Sequence, residues 1–76
     1  MSEIILMHSF GRNLNDILDE YKMSQKELSE ETGISESMIS RYIKGECMPS
    51  LKNVINIMIV LECDFEELID IPMRVI

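Results

Sequence analysis

Apolar and polar positions along this chain repeat with a helical period. Leu14, Ile17, Leu18 and Tyr21 stand at i, i+3, i+4 and i+7. That spacing predicts a first helix from about Phe10 to Tyr21, with Ser9 as its N-cap. The segment "SQKE" at 24–27 has the form of a capping box, Ser24 capping and Glu27 reaching back to the Ser24 amide. A second helix follows with Leu28 and Ser29 inward, and Gly33 suits its left-handed C-terminal position. Ser35 caps a third helix that Gly45 stops. Its apolar side carries Met38, Ile39, Tyr42 and Ile43, and its polar side carries Ser35, Glu36, Ser37, Ser40, Arg41 and Lys44. Only Gly33 and Ile34 separate these two helices, and a connection that short forces their axes to cross steeply.

"ECMPS" reads as a loop, in which Pro49 bars helix at Met48 and Ser50 caps the next segment. A fourth helix, about Leu51 to Leu61, is apolar nearly all round and is expected to be buried on all sides. Asp64 caps a short fifth helix, Phe65 to Ile69, ahead of Pro72. The expected fold is all-α, five helices over residues 9–70 with a helix-turn-helix at about 24–44. Extensions at 1–8 and 71–76 carry β-favouring pieces, "EIILM" at 3–7 and "MRVI" at 73–76, that predict short terminal strands.

Seventy-six residues allow one domain with a small core. Cys47 and Cys63 have no C-x-x-C or Cys/His company, so both read as free thiols, which fits a cytoplasmic protein. The first ten residues lack the basic start of a signal peptide, and the longest apolar run, Ile57 to Leu61, cannot span a bilayer. His8 is expected in an exposed loop, and the scattered methionines read as core fillers. The acids Glu62, Asp64, Glu66, Glu67 and Asp70 lack calcium-loop spacing and read as a solvated helix end. No metal or cofactor site is expected. No nucleophile has a neighbouring base, so the chain does not read as an enzyme.

Charge changes the picture most. The net charge is −7, which opposes non-specific binding to nucleic acid. Yet between Ile34 and Lys52 the balance reverses, with Arg41, Lys44 and Lys52 against Glu36 and Glu46.

The stretch from Leu14 to Leu68 resembles the phage-repressor helix-turn-helix family (lambda Cro and repressor type, or Xre). Ser24, Gln25, Leu28, Ser29, Gly33, Ile34, Ser35, Ile39, Ser40, Gly45, Pro49, Ser50, Leu61 and Phe65 to Leu68 fall in register. The resemblance implies a five-helix lambda-repressor-like domain that binds double-stranded DNA by sequence, usually as a homodimer and most often as a repressor. It places the third helix in the major groove, Gln25 on a phosphate, and the start of the fourth helix on the backbone. The residues themselves suit those parts. Ser35, Glu36, Ser37, Ser40 and Arg41 are the candidate base contacts: Arg41 can bond bidentately to guanine and Glu36 can accept from cytosine N4. Lys44, Ser50 and Lys52 are candidate phosphate contacts with Gln25.

Two departures from the family carry information. A buried Arg–Glu pair common in the family is Leu18 and Ile43 here. Replacing both charges together is often neutral, whereas losing one alone would strand the other. Ile59 occupies a usually polar position on the outer side of the fourth helix and needs cover, from a dimer partner or from the terminal pieces. Ile59 and Phe65 are therefore the expected dimer interface. A rival reading stays open: the same fold used as a protein-interaction module, antitoxin-like or an adaptor, with weak DNA binding or none.

Overall fold

In the computed structural model, which describes residues 2–69, five helices follow one another: α1 (Glu3–Tyr21), α2 (Gln25–Thr32), α3 (Glu36–Ile43), α4 (Leu51–Leu61) and α5 (Phe65–Leu68). No strand occurs among the described residues. The all-α expectation holds. The strand expected at 3–7 does not, because those residues are the opening turns of α1. Ser2, not Ser9, caps that helix, its Oγ accepting from the Ile5 amide at 3.2 Å. Ser9 is instead buried inside α1. A strand at this end would have no partner for its backbone groups, whereas helix pairs them internally. His8 is exposed as expected, but it lies in α1, not in a loop. The expected strand at 73–76 lies outside the described residues.

The remaining boundaries follow the caps. Ser24 accepts from the Glu27 amide at 3.0 Å while the Glu27 carboxylate accepts from the Ser24 amide at 3.0 Å. Gly33 closes α2 at φ 79°. Ser35 and Ser50 accept from the Met38 and Asn53 amides, each at 3.1 Å.

The core is a single cluster in which Phe10, Leu14, Leu28, Ile39, Ile57, Leu61 and Leu68 are fully buried. Phe10 meets Tyr42 edge-to-face, with centroids 5.8 Å apart. Leu18 is buried and Ile43 is half-buried against the core, so both positions are filled by apolar packing. The N-terminal half of α1 passes so close to the end of α3 that a Cβ on Gly11 would collide with the Tyr42 carbonyl oxygen and lie 2.7 Å from that of Ile43. Farther along, Asn13 Nδ2 donates to the Leu68 carbonyl at 3.0 Å and ties α1 to the end of α5.

One expectation about α4 fails. Leu51, Ile55 and Ile59 are 72%, 46% and 70% exposed. The helix buries Val54, Ile57 and Leu61 against its neighbours, and α1 is occupied by α3 and α5. No described element is left to cover the opposite side of α4.

Candidate nucleic-acid interface

The turn between α2 and α3 is held from three sides. Thr32 Oγ1 donates to the Leu28 carbonyl at 2.7 Å and accepts from the Ile34 amide at 3.1 Å. Ile34 is buried, which pins the turn to the core. From α4, Asn56 Nδ2 donates to the Thr32 carbonyl at 2.6 Å. A second asparagine of α4, Asn53, donates to Tyr42 Oη at 2.9 Å and links α4 to the inner side of α3.

With Ile39 and Tyr42 buried, α3 can turn only its other side outward. Glu36, Ser37, Arg41 and Lys44 are exposed there, and Ser40 is half-buried at the edge of the same face. These positions, at i, i+1, i+5, i+8 and i+4, make one contiguous strip on a helix. Four of the five expected base-contacting residues thus lie on a helix whose packing fixes their direction. The fifth, Ser35, sits at the cap: its oxygen already accepts from Met38, and its hydroxyl proton is the part left to donate.

The expected phosphate contacts fall around this strip. Lys44 is the exposed C-cap of α3. Ser50 caps α4, and Lys52 is exposed in its first turn. Gln25 is the half-buried first residue of α2. A shallow cleft of about 310 Å³ runs between the α2–α3 turn and the start of α4, and its lining includes Ser35, Met38 and Lys52. It brings one expected base contact and one expected phosphate contact into the same hollow. Glu36, Arg41, Lys44 and Lys52 give the exposed strip and its border a local excess of positive charge within an acidic chain.

Asn53, Asn56 and Thr32, which hold this surface in place, were not expected from the sequence. Their partners lie 11, 24 and 4 residues away, and only the closest of these separations is local enough to read from the chain.

Cys47 and Cys63 are free thiols. Burial pushes the Cys63 thiol up from its ordinary value, and the nearby Glu67 and Asp64 carboxylates push it the same way. Its thiolate is therefore disfavoured, the reverse of what a nucleophile needs. No group of His, Cys, Asp and Glu placed to hold a metal occurs among the described residues. None of the described helices is long and apolar enough to cross a membrane.

Residues 14–68 match a helix-turn-helix family, HTH_3. Among solved structures, the fold is similar to the restriction-modification controller protein C.AhdI from Aeromonas hydrophila. The TM-score is 0.77 at 24% identity, covering 82% of this chain and 94% of that one. It is also similar to an HTH_3 family transcriptional regulator from Vibrio cholerae, with a TM-score of 0.83 at 19% identity, covering 88% of this chain and 38% of that one. At these identities the two structures speak for the fold.

Two curated relatives are replication factor C small subunits. The one from Methanocaldococcus jannaschii is 44% identical over 52 residues, 68% of this chain. The one from Thermococcus kodakarensis is 39% identical over 70 residues, 92% of this chain. The matches span only 3% and 8% of the lengths of those relatives.

Proposed function

We propose that the chain, a member of the helix-turn-helix family HTH_3, is a DNA-binding transcriptional regulator that acts in the cytoplasm as a homodimeric repressor reading an inverted repeat in double-stranded DNA. In this reading α3 enters the major groove. Arg41 bonds to a guanine, Glu36 accepts from a cytosine N4, and Ser35, Ser37 and Ser40 contact neighbouring base edges. Gln25, Lys44, Ser50 and Lys52 hold phosphates and set the register. Ile59 and Phe65, 70% and 37% exposed, lie in the contact between subunits.

The observation that carries the reading is the outward strip Glu36–Ser37–Ser40–Arg41–Lys44, backed by buried Ile39 and Tyr42. A two-fold dimer sets two such helices in successive major grooves, about 34–36 Å apart. The acidic remainder of the chain weakens non-specific association, so specific contacts decide where the protein rests.

Selection of bound sequences from random duplex DNA, at two salt concentrations, tests this. The expected result is an enriched palindrome whose affinity falls steeply as salt rises. A folded protein that enriches nothing at low salt would sink the reading.

The exposed apolar side of α4 and the net charge of −7 favour a second reading, a protein-interaction module with weak DNA binding or none. In that case Arg41→Ala is silent and Ile59→Glu abolishes a complex with another protein.

A further inference from the structure

We propose that a second copy of this chain covers α4, with the two α4 helices antiparallel, Ile55 against Ile55 on the two-fold axis, and Leu51 of each copy against Ile59 of the other. The inference rests on the homodimer reading above and specifies the α4 part of its contact.

Leu51, Ile55 and Ile59 are spaced four apart, so they form one continuous ridge along the helix. All three are large, apolar and substantially exposed. Ridges of this kind pack into the matching grooves of a second helix at about 50°, the commonest helix–helix arrangement. A two-fold contact needs a patch complementary to itself, and a ridge symmetric about Ile55 satisfies that requirement.

Charge chooses the direction. The ridge has no charged residue within it, but exposed Lys52 borders its start and exposed Glu62 borders its end. In an antiparallel pair, each Lys52 lies within a turn of the Glu62 of the other copy, and the helix dipoles oppose. In a parallel pair, Lys52 would meet Lys52 and Glu62 would meet Glu62, which is repulsive at both ends. Of the other exposed large apolar residues, Ile4 and Ile5 are consecutive at the start of α1, Tyr21 stands at its far end, Met48 lies in the loop before α4 and Phe65 begins α5, so they form no second ridge.

Two variants test the register without DNA. Leu51→Lys and Ile59→Glu each place one charge on a surface that is exposed in the single chain, so circular dichroism should show both folded. By sedimentation, the native chain should run at twice 8.8 kDa and each variant alone at 8.8 kDa. An equimolar mixture of the two variants should return to the double mass. On one side of the axis the new ammonium of the Leu51→Lys copy faces the new carboxylate of the Ile59→Glu copy. On the other side Ile59 still meets Leu51. Ile5→Glu should stay dimeric.

A mixture that stays monomeric overturns the register. Variants that stay dimeric, or a native chain that is monomeric at the highest concentration at which it remains soluble, overturn the α4 contact. These outcomes are independent of the DNA selection. A monomer can still enrich a half-site, which would leave the DNA reading standing, and a dimer that enriches no sequence would sink that reading while leaving the contact intact.

Discussion

Helices α3 and α4 each begin at a serine whose hydroxyl accepts from the amide three residues on, and each buries one side in the same core. What they show to solvent differs. The outer side of α3 carries Glu36, Ser37, Arg41 and Lys44, and the outer side of α4 carries Leu51, Ile55 and Ile59. A polar outer side can exchange bonds with water for bonds with base edges and phosphates. An apolar one gains only by leaving water, at about 25 cal/mol per Å² covered. Neighbouring elements of similar build can therefore serve two different kinds of partner, and the comparison identifies which residues should matter to which.

Displacing α3 from its seat should disturb both faces at once. In Gly11→Ala the new methyl group has the Tyr42 and Ile43 carbonyls in its way, and these are backbone atoms that cannot turn aside. We expect a loss of about 2–3 kcal/mol, seen as a melting temperature lower by roughly 10–20 °C. DNA binding and dimerisation should weaken together. Arg41→Ala acts on α3 alone. It should cost about 1–3 kcal/mol of DNA affinity and relax the preference at one base pair per half-site, measured by binding to a panel of single-base variants. Melting temperature and dimer mass should not move.

Tyr42→Phe cuts the direct bond between the two helices, since Asn53 Nδ2 then has no phenol oxygen to meet. Calorimetry should register a loss of about 1 kcal/mol. The smallest effect concerns Cys63, just beyond the end of α4. Because its folded thiol titrates above the ordinary value of 9.0, the unfolded chain ionises first. The associated stability is complete below about pH 9 and is lost as the pH rises beyond it. The melting temperature of Cys63→Ala should fall less steeply than that of the native chain over the same range.

Much of this design is legible in the chain because caps are local. Ser24 with Glu27, Gly33, Ser35 and Ser50 each act on atoms a few residues away, and the structure uses each in its expected part. The start of α1 is not legible in the same way, because a short apolar run such as "IILM" suits a strand as well as a buried helix. The capping role of Ser2 becomes visible only once the helix is seen to extend back to Glu3. The surface of α4 departs from expectation for a different reason. Its composition is apolar all round, but exposure depends on how many neighbours remain to pack against it. Within the candidate interface, the outward strip of α3 is readable from its period. The bonds of Asn53 and Asn56 are not, since they join positions brought near only by the tertiary fold.

The Thr32 carbonyl, held by Asn56 of α4, has a consequence for motion. The turn that aims α3 cannot open by itself: releasing it means breaking the Asn56 bond and freeing the Ile34 amide from Thr32 Oγ1. Turn and α4 are therefore expected to open together, which amide hydrogen exchange would show. On the proposed reading, an arriving duplex would meet α3 already set at its working angle, with little ordering entropy lost at the moment of contact.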